Sequence, residues 1–386
     1  PVEVFSTEDT SAQLTWRRLP EGELAATVDG NTTSLGDAGR PGAADVAGLL
    51  PDSQAPVELH VDDDLIASCT LATQPSLDGL ALSRIATISD LHLGEPGFGL
   101  VKRMRDHSGH TDDYPLRCAK AAVSEATAWG AELLVVKGDI TEEGRPEEWE
   151  LLDELLDHID IPVLAIPGNH DTVGKRRSID ATDALRSRGL FTDEIQTADV
   201  AGARIVVADS TVPGRSFGRL RSRLDALCGA VDVDTPALVF THHHLEATSL
   251  PWFWPLGVQR YDARPVLDRM LEANPDLLVS SGHTHRNRAR RHGTAVVTEV
   301  SSTKDHPGVW AGYVVHATGV RQVLRRVADT DCISWTDRTH AAVGGIWGRW
   351  SPGGLADRSL TQRWTRPPRV QGPVRTRRAS ATSSVS

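Results

Sequence analysis

The sequence predicts an α/β fold of two sheets with helices outside, preceded by a small β-rich module. Three observations predict it. From about Leu82 onward, strand-like and helix-like segments alternate. Between Thr294 and Val327, β-type runs follow one another without a helical period. Before residue 80 the chain has short apolar runs and no convincing helical period. The 386 residues are enough for one large domain and an accessory one, and 39% hydrophobic content suffices for a packed core.

Residues 1–80 hold strand-like runs at Gln13–Trp16, Leu24–Val28, Val57–Val61 and Leu65–Leu71. Gly, Pro, Asp and Asn separate them, which reads as a small β-sandwich. A β-rich extension packed on the rest of the chain is the alternative. Residues 81–328 form the alternating region. A helix is predicted over Pro115–Trp129, where Leu116, Ala119, Val123 and Ala126 share one face and Pro115 suits a first turn. A second is predicted over Pro146–Ile159, with Trp149, Leu152, Leu156 and Ile159 on one face and Glu147 and Glu148 favouring its N-terminus. A third spans Ala263–Ala273, and strands are predicted at Thr294–Val300, Val309–Val315 and Val320–Val327. Residues 329–365 carry Trp335, Trp347, Trp350 and Trp364 among several glycines and read as an ordered, irregular cap. Residues 366–386 have five arginines, three prolines and no acid, the composition of a disordered basic tail.

Five strand-like runs end in polar residues. Arg84–Ser89 ends in Asp90-Leu91-His92, and Leu133–Val136 leads to Gly138-Asp139. Pro162–Ile166 leads through Pro167 to Gly168-Asn169-His170-Asp171. Ala237–Thr241 ends in His242-His243-His244, and Leu277–Val279 leads to Gly282-His283-Thr284-His285. Ligands of open α/β sheets bind beyond the carboxyl ends of the strands. Asp90, His92, Asp139, Asn169, His170, His242, His283 and His285 are therefore predicted to converge. Carboxylate, imidazole and amide oxygen together suit Mn, Fe or Zn. The set is too large for one ion, and a shared Asp would join two.

In order and spacing, these motifs resemble those of the calcineurin-like metallophosphoesterases over about residues 84–327. The stretch Gly144-Arg145-Pro146-Glu147-Glu148-Trp149 is similar to the branch of cyclic-nucleotide phosphodiesterases and glycerophosphodiesterases. The resemblance implies a four-layer αββα sandwich and a fibronectin-like N-terminal module. It implies two divalent metal ions bridged by Asp139, with Asp90, His92 and His285 completing one site and Asn169, His242 and His283 the other. It places His170 over the phosphate as the catalytic residue, with Asn169 and His170 as substrate contacts. The implied reaction is hydrolysis of a small phosphodiester, a cyclic nucleotide or glycerophosphodiester, by a hydroxide bridging the ions. A phosphomonoesterase or nuclease on the same scaffold is the alternative, and a non-catalytic binding module is a third class. Two departures matter. The usual His-His-Pro is His242-His243-His244 here, and its place directly after the strand favours His242 over His243 as ligand. Purple acid phosphatases carry a Tyr three residues after the Asp of the Gly-Asp motif; Glu142 stands there, so a purple Fe(III) centre is not expected.

Two loops flank these motifs. Gly94–Asp113, with His107 and His110, reads as a solvated loop, with a flap over the metals as the alternative. Leu250–Pro255 places Trp252, Phe253 and Trp254 between prolines. Trp252 and Trp254 are candidate substrate contacts, since a base stacks on such a wall for about 1–3 kcal/mol; a dimer contact, and with it a homo-oligomer, or a clamp on the N-terminal module are the other readings. The formal net charge of −11 argues against general nucleic-acid binding. No run approaches the length of a membrane span. Cys69, Cys118, Cys228 and Cys332 lack metal-type spacing, and no signal segment follows Pro1, so a cytoplasmic protein with reduced thiols is expected.

Overall fold

A computed structural model describes residues 2–99, 102–110, 112–174, 178–247 and 255–366. Seven strands come first: β1 (Val2–Thr7), β2 (Ser11–Trp16), β3 (Glu23–Val28), β4 (Asn31–Asp37), β5 (Gly42–Ala47), β6 (Gln54–Val61) and β7 (Asp64–Ala72). They form two antiparallel sheets, ordered β1-β2-β5 and β4-β3-β6-β7. Alternate residues of each strand point inward, and Leu14, Trp16, Leu24, Val46, Val57, Leu59 and Leu71 build one core between the sheets.

The next strands are β8 (Ala81–Ile88), β9 (Leu133–Lys137), β10 (Val163–Ile166), β11 (Ile195–Val200), β12 (Ala203–Ala208), β13 (Ala237–Thr241), β14 (Leu277–Ser281), β15 (Arg288–His292), β16 (Ala295–Glu299), β17 (Val309–His316), β18 (Gly319–Arg326) and β19 (Ser359–Arg363). They form two six-stranded sheets, ordered β10-β9-β8-β17-β18-β19 and β11-β12-β13-β14-β16-β15. Within the first, β8, β9 and β10 are parallel; within the second, β12, β13, β14 and β16 are. The parallel strands are apolar on both faces, as burial on both sides requires. Ile205, Val207, Leu238, Phe240 and Leu278 face the first sheet and share its core with Ile85, Leu134 and Tyr313. Val206, Ala208, Val239 and Val279 face the other way.

Helices cover the outer faces. On the first sheet lie α1 (Tyr114–Ala128) and α2 (Pro146–Leu156), which bury Leu116, Ala119, Val123 and Ala126, and Trp149, Leu152 and Leu155. α2 stops three residues before the predicted Ile159, because His158 and Ile159 donate to the carbonyls three residues back and tighten the last turn. Two short helices follow, α3 (Asn169–Thr172) and α4 (Ala181–Ser187). On the second sheet lie α5 (Leu224–Val231) and α6 (Arg260–Ala273), packed through Leu227, Val231, Val266 and Met270. The result is the four-layer α/β sandwich, with a β-rich N-terminal portion. Beyond β18 the chain is more regular than its glycine content suggests: α7 (Thr330–Thr339) packs on α1, and β19 extends the first sheet beside β18. Among the described residues no helix is long and apolar enough to cross a membrane.

Candidate active site

Asp90 follows β8, Asp139 follows β9, Asn169 follows β10, His242 follows β13 and His283 follows β14. All five strands point their carboxyl ends to one place, so the folded chain brings together the residues that the motifs single out. The donors run as a chain. His92 Nε2 lies 3.2 Å from His285 Nε2 and 3.7 Å from Asp139 Oδ2. His285 Nε2 is 3.5 Å from Asp90 Oδ1. On the other side of Asp139, His242 Nε2 is 3.4 Å from its Oδ1 and 3.1 Å from Asn169 Oδ1. His283 completes that side, its ring 5.0 Å from that of His242.

The backbone here is unusual. Among the described residues, ten other than glycine have positive φ, and five of them are Asp90, His92, Asp139, His283 and His285. Such conformations disfavour any residue with a Cβ and persist where the surroundings enforce them. Two glycines permit the crowding. A Cβ on Gly168 would lie 2.2 Å from the Asp139 amide nitrogen and Oδ1, and one on Gly282 would lie 1.9 Å from Ser89 Oγ. Asp171 ties the loops together, accepting from the amides of Ile140 (3.1 Å), Thr141 (2.8 Å) and Gly168 (2.8 Å).

Each histidine is held from behind through one ring nitrogen. His92 Nδ1 is 2.8 Å from Glu142 Oε2, and His285 Nδ1 is 2.6 Å from Asp305 Oδ2. His242 Nδ1 is 2.8 Å from the Lys137 carbonyl, and His283 Nε2 is 3.0 Å from that of Leu256. This is how metal-ligating histidines are oriented. It also decides whether cations fit. With both rings neutral and Nδ1–H donated to a carboxylate, His92 and His285 would turn lone pairs toward each other across 3.2 Å, an arrangement that a cation between them relieves. The charge balance agrees. Burial drives His283 well below its ordinary value and lowers His92, so both imidazoles are neutral, whereas at His285 burial opposes charge but Asp305 and Asp90 outweigh it and raise the group. Burial also opposes charge on His242, but Asp139 and Asp90 outweigh it and lift that group to about 9. A bound cation would take over that balancing role.

The remaining predicted residues divide. His170 sits beside His92, ring centroids 4.4 Å apart, and its Nδ1 is 3.0 Å from the Glu142 carbonyl. Its side chain is 35% exposed, whereas those of His92 and His242 are 5% and 0% exposed. His243 turns Nδ1 to Ser210 Oγ at 2.9 Å, while its buried Nε2 has no hydrogen-bond partner and its ring groups with those of His242 and His283, 4.6 Å from the latter. Trp252 and Trp254 lie outside the described residues. The loop after Gly94 meets the site at Lys102, which ion-pairs with Glu142; His110 instead faces Asp331 at 3.2 Å.

Glu142 and Asp305 were not readable as functional residues. Asp305 lies past the end of β16, another parallel strand pointing the same way, and that was the available signal. Asp305 is also gripped by Trp347 Nε1 at 3.1 Å, which links the Trp-rich segment to His285.

The profile of the calcineurin-like phosphoesterase family matches residues 83–287, more than half of the chain. The chain belongs to that family. It is a hydrolase of phosphoric esters. A protein of Synechococcus sp. named as a probable cyclic nucleotide phosphodiesterase is 27% identical over 241 residues, covering 61% of this chain and 87% of that protein. A probable glycerophosphodiester phosphodiesterase of Arcobacter nitrofigilis is 28% identical over 167 residues, covering 40% of this chain and only 57% of that protein. A solved purple acid phosphatase from yellow lupin (Lupinus luteus) seeds aligns with a TM-score of 0.47 at 11% identity, covering 84% of this chain and 72% of that one.

Proposed function

We propose that this phosphoesterase hydrolyses a small phosphodiester, a cyclic nucleotide or a glycerophosphodiester, at a centre of two divalent ions. The carrying observation is the run of rear-anchored imidazoles around Asp90 and Asp139, with one partly exposed imidazole, His170, at its mouth. The names of both relatives favour a diester over a monoester.

Asp90, His92 and His285 would hold one ion and Asn169, His242 and His283 the other, with the Asp139 carboxylate available to both. His242 takes the ligand role over His243, because His242 faces Asp139 and Asn169. The donor set suits Mn, Fe or Zn. Bound ions of this kind stabilise phosphoryl charge and acidify water at neutral pH. The protein residues supply orientation and proton handling. Glu142 and Asp305 fix His92 and His285, so the first site is rigid before substrate arrives. His170 is fixed through Nδ1 by the Glu142 carbonyl, which leaves Nε2 for the phosphoryl or the leaving oxygen. Its exposure lets it meet a substrate that the buried histidines do not reach.

The test is hydrolysis of bis(p-nitrophenyl) phosphate against p-nitrophenyl phosphate, in metal-free buffer and with added Mn²⁺. The expected outcome is metal-dependent diester cleavage that Asn169→Ala abolishes. Faster turnover of the monoester would replace this reading with a phosphatase, and bound metal with neither ester cleaved would point to a binding module.

A further inference from the structure

Where the N-terminal sandwich, β18 and α7 meet lies a partly open cavity of about 90 Å³. A buried water needs about 10–15 Å³ of such space, so the cavity has room for a polyatomic guest. Its wall carries Arg17, Arg326 and Arg358 against only Glu3 and Asp337, with His306 and His340 between them.

The charges are unevenly matched. Asp337 is engaged by Arg17, whose Nε is 2.9 Å from Oδ1 and whose Nη2 donates to Oδ2 at 3.1 Å. Arg358 directs its donors at backbone carbonyls, those of Phe5 (2.5 Å) and Gly353 (2.8 Å) among them. Arg326 is 3% exposed. Its Nε donates to the Pro307 carbonyl at 3.0 Å and its Nη1 to Thr15 Oγ1 at 2.7 Å. Its Nη2 has no hydrogen-bond partner and lies 3.9 Å from Asp337 Oδ1, itself a buried acceptor without a hydrogen bond. His306, 8% exposed, leaves Nδ1 without a partner as well. Burial, reinforced by Arg326 and His340, drives the His306 imidazole down to about 2, and burial lowers Arg326 to about 10. Burial is the leading cause of both shifts, with Asp337 and Glu3 partly offsetting it at Arg326.

A buried guanidinium donor left without a hydrogen bond is costly, because buried donors in folded proteins normally find acceptors. An oxyanion answers both needs, since the guanidinium fork matches carboxylate and phosphate oxygens. We propose that this cavity binds a small oxyanion on Arg326 Nη2 and the His306 imidazole, as a site separate from the metal centre.

Calorimetric titration of inorganic phosphate into the metal-loaded full chain tests the proposal. Phosphate is expected to fill two classes of site, the metal centre and this cavity. Asn169→Ala should remove or weaken the first and leave the second. Arg326→Met should weaken the second by about tenfold or more, as loss of a charge-assisted hydrogen bond does, while diester hydrolysis continues. His306→Leu, which leaves the bonds of Arg326 in place, gives the same readout if Arg326→Met fails to fold. The proposal is overturned if phosphate binds only one class of site and Asn169→Ala abolishes it, or if the folded cavity variants bind phosphate as the unaltered chain does.

Discussion

Asp29 and Asp139 share a backbone conformation and nothing else. Asp29 has φ 49° and sits with Gly30 in the two-residue turn between β3 and β4, exposed to water. Asp139 has φ 47° and is 2% exposed at the crossing of five strand ends. In the hairpin, positive φ is what the twist of two antiparallel strands asks of a short turn, and Asp tolerates it well. At the centre no turn type requires it. There the conformation is enforced by the packed loops around Gly138 and Gly168, and it delivers a carboxylate to the histidines on either side. The same dihedral is ordinary loop chemistry in one region and a retained strain in the other, and burial and partners tell them apart.

That contrast can be broken at several strengths. Asp139→Asn keeps a residue that accepts positive φ but removes the shared carboxylate. It should lose bound metal and at least about 10³-fold in turnover, checked by elemental analysis beside the diester assay. His170→Ala should lose about 10²–10⁴-fold in kcat with both ions retained; metal loss would make His170 a ligand instead. Asp305→Asn, which leaves the ligands intact and loosens His285, should weaken metal affinity by about 10–100-fold, measured by competition with a chelator. Asp29→Gly, at the matching dihedral in the hairpin, should change unfolding free energy by no more than about 0.5 kcal/mol and leave hydrolysis untouched. A large effect there would end the distinction drawn between the two regions.

The centre was legible because each site segment joins a strand-like run to a polar end, and in several the run is unbroken and apolar. Leu133–Val136 before Gly138-Asp139, and Leu277–Val279 before Gly282-His283, announce both a buried strand and its carboxyl terminus. Such local signals carry the alternating fold too. Where the decisive partner is far away in sequence, the reading ran out. Glu142 and Asp305 are single acids without a spacing rule, and only the folded sheets show that they stand behind His92 and His285. β15 was hidden for a related reason: Arg288–His292 is almost wholly charged, and it is a strand because it pairs with β16 at the sheet edge. The cavity around Arg326 is built from segments about 300 positions apart, residues 3–17 and 306–358, so no local pattern marks it.

The seam between the sandwich and β18 has a consequence for how the molecule is made. Gln13 exchanges hydrogen bonds with the backbone of Arg326, and the amide of Thr7 donates at 2.7 Å to Ser359, 352 positions later. During synthesis β1 and β2 leave the ribosome long before those partners exist. Contacts so distant in sequence form slowly, and until they do, the face of β1 and β2 that later meets β18 and Ser359 stays open to water and to other chains. Maturation of this protein therefore depends on a late step, the arrival of residues 319–363, and anything that delays it prolongs the exposure of that face.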